Sequence, residues 1–235
     1  MESEEKNGVM TMTSEVKMQK EIKENEITFD RLFVVFFIGC VSGVLLEGIF
    51  CLITKGHWES HVVSVFGAFN ILYGAGAMLF YSGAVKLKSK PIFLRVTIMT
   101  VSATALELGA GLFLKDYLGM RAWNYDGKFL NYKGVICLQF TFIWGFAAFA
   151  FCKLQPKISK RLERIKGGLW HGVCVAISIF MILNLSLTAL SIARWSERHY
   201  GVAAVSKIQN FLDVDAPDEW MQSRFIEWEF LDNIK

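Results

Sequence analysis

Apolar residues gather into five long runs separated by short polar segments. A helix needs about 20 mostly apolar residues to cross a hydrocarbon core of about 30 Å. The runs approach or exceed this length and predict transmembrane helices over residues 32–53, 62–85, 92–114, 134–152 and 168–193. The expected fold is therefore all-α: a polytopic membrane bundle of about five helices.

The composition supports this interpretation. Hydrophobic residues make up 53% of the chain, whereas ordinary globular chains are about 45–50% apolar even with glycine counted. We expect one membrane domain over residues 32–193. The preceding tail, residues 1–31, is charged and lacks the apolar segment of a cleavable signal peptide. Its composition predicts a disordered segment with a short solvated helix over residues 14–26.

The orientation follows from lysine and arginine, because short cytoplasmic loops carry an excess of both. The second and fourth loops are strongly basic, and both lie on the side of the N-terminal tail. We therefore predict a cell-membrane protein with a cytoplasmic N-terminus and an extracytoplasmic C-terminus. The basic residues are Lys86, Lys88, Lys90, Arg95, Lys153, Lys157, Lys160, Arg161, Arg164 and Lys166.

Residues 194–235 form the predicted extracytoplasmic, amphipathic C-terminal segment. Asp215 and Pro217 are typical of a helix start, so a helix is expected over residues 217–231. Its apolar positions recur at helical spacing and need an apolar partner. Two placements stay open, at the membrane interface or on the extramembrane ends of the bundle. The apolar positions are Met221, Phe225, Trp228 and Leu231.

Two glutamates fall inside predicted spans. Gly39, Gly43 and Glu47 share one face of the first span, and Glu107 shares a face of the third span with Ala103 and Gly111. Small residues let another helix approach closely. Both carboxylates are therefore expected to face protein rather than lipid.

An ionised acid at mid-membrane costs roughly 2.5–3.5 kcal/mol on insertion scales, so such acids pair, become protonated or line a wet cavity. One hypothesis is that Glu47 and Glu107 bind ions, protons or substrate. The alternative is that they are hydrogen-bonded and only hold the bundle together.

The two halves of the membrane domain show a weak repeat. In the first half, Glu47 is followed by an aromatic–glycine pair at Tyr73-Gly74. In the second half, Glu107 is followed by a similar pair at Trp144-Gly145. Both predicted hairpins start on the same side of the membrane, so the repeat indicates a parallel duplication.

The third loop contains a polar, aromatic group of residues. Its Asp-Gly pair, residues 126–127, predicts a tight two-residue hairpin that folds the loop over the bundle mouth. The loop side chains are candidate ligand contacts, and an aromatic belt at the membrane interface is the alternative. The candidates are Trp123, Asn124, Tyr125 and Asn131.

His57, Glu59 and His61 lie close together in the first loop, but they do not form a recognised metal motif. We predict no metal site there. The five cysteines include no CxxC pair and lie within or at the ends of spans. They are expected to be small buried side chains rather than disulfide partners.

Motifs for enzymatic chemistry are missing from the sequence, including GxSxG and HExxH. We therefore expect no enzymatic activity and no cofactor. The phosphate-binding GxxxxGK[ST] loop is also missing, so any ATP must be bound by a separate ATPase subunit. The net charge of +3 comes from topology-determining residues and does not indicate nucleic-acid binding.

Three sequence blocks resemble the bacterial CmpB-like family of ABC-transporter type IV membrane proteins. The blocks are Gly43-Val-Leu-Leu-Glu47 with Tyr73-Gly74-Ala-Gly76, then Leu106-Glu107-Leu-Gly109, and finally Trp123-Asn-Tyr125 through Trp144-Gly145. They cover about residues 33–152. The resemblance implies a permease-like membrane protein and identifies no substrate.

The sequence therefore predicts a permease-like protein or transporter subunit of unknown substrate, with Glu47 and Glu107 lining a polar interior. The alternative is a non-transporting accessory or sensor protein in which the glutamates are structural. The expected partners are the lipid bilayer and either a separate ATPase subunit or further copies of the chain.

Overall fold

The computed structural model describes residues 26–231, and within them the fold is built from helices with one short strand pair. Five long or medium helices come first: α1 (Phe29–Lys55), α2 (Ile71–Lys86), α3 (Ile92–Leu118), α4 (Leu138–Leu162) and α5 (Gly168–His199). Two short helices follow, α6 (Lys207–Asp215) and α7 (Asp218–Arg224). Strands β1 (Met120–Arg121) and β2 (Glu229–Phe230) pair antiparallel. The expected all-α fold class is confirmed; the tail helix predicted over residues 14–26 lies, except for its last residue, outside the described range.

Three of these helices, α1, α3 and α5, are long and apolar enough to cross a membrane. Their outward faces expose large apolar side chains such as Ile53, Val101 and Leu183, as expected of surfaces in contact with lipid. Helix α2 has 16 residues and is about 24 Å long at 1.5 Å per residue. Helix α4 is long enough, but its C-terminal half carries several basic residues.

The second predicted span, residues 62–85, is wrong in its first third. Helix α2 begins only at Ile71, after Asn70, whose side chain caps the helix by accepting from the Leu72 amide at 3.1 Å. Residues 56–70 form an irregular segment instead. Gly67 within it has a φ of 75°, a left-handed conformation that a continuing right-handed helix does not contain.

Side chains of helix α5 supply hydrogen-bond partners for the backbone of this irregular segment. Asn184 accepts from the Phe66 amide at 3.1 Å and donates to the Phe66 carbonyl at 2.8 Å. Thr188 accepts from the Val65 amide at 2.8 Å. Within a bilayer, non-helical backbone is tolerated only where protein or water meets its hydrogen bonds. These bonds therefore hold Val65 and Phe66 against α5.

Helices α1 and α2 approach each other through glycines. A β-carbon on Gly43 would lie 2.3 Å from the Tyr73 ring, and one on Gly74 would lie 2.3 Å from the Cys40 sulfur. The small-residue face predicted for α1 therefore packs against α2, which brings Glu47 to the same interface.

The bundle has two distinct ends. At one end, which we call the basic end, the start of α1 meets the start of α5 through Asp30 and His171 at 2.9 Å. There too, Arg95 at the start of α3 donates to the Ala84 carbonyl near the end of α2 at 2.8 Å. The opposite end, which we call the loop end, carries the irregular segment, the third loop and residues 200–231.

The C-terminal segment differs from its prediction. The helix expected over residues 217–231 is only α7, which ends at Arg224, and Asp215 closes α6 rather than capping the next helix. Met221 and Phe225 are fully buried in a cluster with Met120 and Trp195. Because this cluster packs on the loop end of the bundle, packing and strand pairing replace the longer helix.

Two arginines of α5 hold this segment in place. Arg194, only 4% exposed, donates to both carboxylate oxygens of Asp213 at 2.8 and 2.9 Å. It also donates to Glu197 at 2.9 Å. Arg198 donates to Asp213 at 2.8 Å and to Asp218 at 2.6 Å. The guanidiniums, Arg194 foremost, lower the pKa of Asp213 to about 2.

Candidate functional site

Glu107 is the central buried acid of the molecule. It lies in the middle of α3 and is 3% exposed. Its carboxylate accepts from the Trp144 indole N–H at 2.9 Å and from the Tyr125 hydroxyl at 3.0 Å. The donors come from α4 and from the third loop, so one carboxylate ties three parts of the fold together.

Glu47 reaches the same region from α1. It accepts a hydrogen bond from the Tyr73 hydroxyl of α2. The Tyr73 ring packs against the Trp144 ring with centroids 5.8 Å apart. The two acids are thereby linked through one continuous group, the carboxylate–aromatic chain, which consists of Glu47, Tyr73, Trp144, Glu107 and Tyr125.

The weak sequence repeat corresponds to two equivalent hydrogen bonds in the structure. In each half, the glutamate of the first helix accepts from the aromatic residue of the aromatic–glycine pair in the second helix. The pairs are Glu47 with Tyr73 and Glu107 with Trp144. The pattern did not single out Tyr73 and Trp144 as site residues, although their place in the repeat could have done so.

Within the described part of the chain, no cationic side chain neutralises the two acids of the site. Among residues 26–231, no lysine, arginine or histidine nitrogen forms an ion pair with Glu47 or Glu107. The hydrogen-bond donors to both carboxylates are neutral hydroxyl and indole groups. A buried carboxylate without a cationic partner favours uptake of a proton or a cation.

The third loop contributes one of its four candidates to this site. Tyr125 bonds to Glu107 and stacks on the Phe140 ring at 4.4 Å. Trp123 instead donates to the Val135 carbonyl at 2.8 Å. Asn124 accepts from the Asp126 amide at 2.8 Å, and Asn131 accepts from the Gly134 amide at 3.3 Å. The two asparagines are exposed and shape the loop without touching either glutamate.

The predicted two-residue hairpin of this loop is wrong. A turn does form, because the Lys128 amide donates to the Tyr125 carbonyl at 3.0 Å. However, the Tyr125 amide donates to the Gly134 carbonyl at 2.8 Å, so the strands on either side of the Asp-Gly pair do not continue as a ladder. This wider loop places the Tyr125 ring inward, towards Glu107.

A second group of polar side chains lies at the loop end of α1. Glu59 accepts from Lys55 at 2.6 Å and contacts His57 at 2.9 Å and His61 at 3.1 Å. The Cys51 thiol lies 3.3 Å from Glu59. The Lys55 ammonium, foremost, lowers the pKa of Glu59 to about 2. We call this group, with the nearby acids Glu47 and Glu227, the His61 cluster.

The fold and the site define an all-helical membrane protein with a buried carboxylate, that of Glu107, at its centre. The chain belongs to the family described as "Putative ABC-transporter type IV", whose model matches residues 34–189. The resemblance seen in the sequence is thereby confirmed, and the match extends into α5. No curated protein and no solved structure matches the chain. The protein is therefore a membrane protein related to transporters.

Proposed function

We propose that the protein is a permease-like membrane protein or transporter subunit in which Glu47 and Glu107 bind a cation or a proton. The main support is the environment of Glu107, whose carboxylate is 3% exposed and bonded only to neutral donors among the described residues. Burial of an unpaired charge is costly, so the group gains from a proton or a cation. The role needs no chemical change in the substrate, so no enzymatic activity is proposed.

The surroundings of the two acids fit a cation. Tyr73 and Trp144 place aromatic rings between the carboxylates, and aromatic faces attract cations in addition to the carboxylate charges. Glu47 is partly exposed whereas Glu107 is buried. A cation or proton would therefore meet Glu47 first and pass inward to Glu107.

Transport requires a route across the membrane, and we propose five crossings with the N-terminus in the cytoplasm. The contacts at the basic end join the start of α1, the end of α2, the start of α3 and the start of α5. Leu162, at the end of α4, packs there against Val35 and Tyr81. Consecutive helices thus run in opposite directions, with both strongly basic loops on one side.

The topology is testable by cysteine accessibility. Lys88→Cys lies at the basic end and Gln222→Cys at the loop end, and all five native cysteines are buried. In intact cells, a membrane-impermeant maleimide should label Gln222→Cys, and should label Lys88→Cys only after permeabilisation. The unsubstituted protein is the control. Labelling of both positions from outside would contradict the five-crossing topology.

A second candidate function is a non-transporting accessory or sensor protein with structural glutamates. The observation in its favour is that Glu107 joins α3, α4 and the third loop through two hydrogen bonds. Such a carboxylate can hold a bundle together without binding anything else.

The two functions predict different responses to substitution. If the acids bind a cation or proton, Glu47→Gln and Glu107→Gln should abolish activity while the protein stays stable, because glutamine retains the shape but does not titrate. At position 107 the amide oxygen can accept from Trp144, and the amide N–H can donate to the Tyr125 hydroxyl. Glu107→Leu should also lose stability, since an unpaired buried donor costs about 1–3 kcal/mol, and Trp144 and Tyr125 would both lose their acceptor.

The measurements are uptake by proteoliposomes across a panel of cations and solutes, a cellular phenotype, and thermal stability in detergent for each variant. Wild-type activity in the double glutamine variant would refute the cation or proton role. The bundle-holding role would then remain.

The energy source is proposed to lie outside this chain. The family description names ABC transporters, and the sequence has no phosphate-binding loop of its own. We therefore expect a separate ATPase subunit to associate with the basic end, where the predicted cytoplasmic loops lie.

A further inference from the structure

We propose that the His61 cluster is a binding site for a divalent transition-metal ion of the Zn²⁺ type. Its ligands come from three separate parts of the chain: the end of α1, the irregular segment and the turn after α7. Metal binding was not expected from the sequence, because three of the participants, Glu47, Cys51 and Glu227, lie outside the His57–His61 stretch. The candidate ligands are Glu47, Cys51, Glu59, His61 and Glu227.

The distances fit one ion. The Cys51 sulfur lies 3.4 Å from the His61 Nε2 atom and 3.3 Å from a Glu59 oxygen. The same Glu59 oxygen lies 3.1 Å from His61 Nε2. Ligands of a tetrahedral zinc ion, with bonds of 2.0–2.3 Å, are about 3.3–3.7 Å apart. The three atoms therefore already have nearly the spacing of one face of a tetrahedron.

Further carboxylates complete the set. The ligand atoms of Glu47, Cys51 and His61 lie within 4.8 Å of one another, as do those of Glu59, His61 and Glu227. His61 belongs to both groups and is the common ligand. Small side-chain adjustments would bring a fourth ligand, from Glu47 or Glu227, to bonding distance.

Glu227 provides an independent observation. One of its oxygens accepts from the His61 amide at 3.1 Å. The other oxygen, Oε2, is buried and has no hydrogen-bond partner within residues 26–231. Because buried polar atoms are rarely left without a partner, this carboxylate oxygen is free to bind an ion.

The charge and the donor atoms select the ion. Three carboxylates gather around His61. Lys55 forms an ion pair with one of them, Glu59, and His57 also faces Glu59. A dication would balance the remaining charge. A thiol and an imidazole together favour Zn²⁺ and similar metals, whereas Mg²⁺ and Ca²⁺ prefer oxygen ligands.

The metal site shares one residue with the site of the proposed function, because Glu47 also belongs to the carboxylate–aromatic chain. Metal binding at His61 and cation or proton transfer at Glu107 can therefore fail separately. The first is measured on purified protein without any transport assay, and the second requires one.

The test uses the full chain, purified in detergent and freed of metal with a chelator. Calorimetric titration with ZnCl₂ should show one ion bound per chain at micromolar concentration or below, and MgCl₂ should show no binding. Cys51→Ser and His61→Asn should each weaken zinc binding by about tenfold or more; asparagine is chosen because residue 61 has a φ of 44°, which asparagine tolerates.

Two matched controls come from outside the cluster. Cys174→Ser replaces another buried cysteine, and His171→Gln replaces a histidine at the basic end; both should bind zinc as the wild type does. Loading with Co²⁺ should give a thiolate charge-transfer absorption that Cys51→Ser lacks. Equal zinc affinity in the wild type and in Cys51→Ser, or no binding by a folded wild type, would overturn the proposal.

Discussion

Arg194→Met will lower the free energy of unfolding by about 1.5–3 kcal/mol, the range for hydrogen bonds to charged groups. A larger loss is not expected, because Asp213 and Glu197 are 30% and 39% exposed and Asp213 keeps its bond to Arg198. Arg194 is 4% exposed and holds both oxygens of Asp213 together with Glu197. Methionine retains most of the apolar stem but leaves both acids without this partner. Thermal or denaturant unfolding in detergent measures the change.

The matched control is Arg121→Met. Arg121 also bonds to an acid, Glu229, at 2.6 Å, but their side chains are 34% and 61% exposed. Exposed ion pairs contribute about 0–1 kcal/mol, so this variant should stay close to the wild type. Equal losses in the two variants would contradict the role assigned to Arg194.

Acid pH provides a second check on the same ion pair. The folded-state pKa of Asp213 is about 2, below its value in an unfolded chain, so its contribution to stability is complete above about pH 4. The contribution is lost as the pH falls towards 2. The stability difference between the wild type and Arg194→Met should therefore narrow over this interval. A constant difference would show that the Asp213 charge is not its source.

Gly43→Ala is expected to lower the stability by about 1–3 kcal/mol, the usual cost of inserting a methyl group into a packed interior. Its β-carbon would lie 2.3 Å from the Tyr73 ring, so the ring must move. Tyr73 would then lose its hydrogen bond to Glu47, and the activity of the site should fall as well. Unfolding and uptake measurements check the two effects.

Gly109→Ala is the matched control within α3. A β-carbon at Gly109 meets no atom within 4 Å, and alanine is favoured over glycine inside a helix by about 0.5–1 kcal/mol. This variant should be as stable as the wild type or slightly more so. If Gly43→Ala behaves in the same way, α1 and α2 do not pack as described.

The helices that cross the lipid were predictable because their apolar runs are long and uninterrupted. The spans predicted over residues 92–114 and 168–193 begin at the observed first residues of α3 and α5. The start of α2 was not predictable in this way, since residues 62–69 are as apolar as the helix that follows. Bonds from Asn184 and Thr188, more than 100 positions away, hold that segment in its irregular form.

The carboxylate–aromatic chain was partly predictable, because its glutamates and aromatic residues recur in both halves of the membrane domain. The two glutamates and their small-residue faces were visible, and the repeat contained Tyr73 and Trp144. In contrast, Glu227 meets His61 across 166 positions of sequence. No local pattern relates these two residues, because only the folding of the C-terminal segment over the bundle brings them together.

The docking of that segment also sets an order for biosynthesis. Arg224 donates to the Ser64 carbonyl at 2.9 Å, and β2 pairs with β1, so residues translated after all five long helices complete the structure around the first and third loops. These residues follow all five long helices in the sequence, so they can dock only after those helices have been synthesised. A chain interrupted after α5 would therefore leave the first loop without the bond from Arg224.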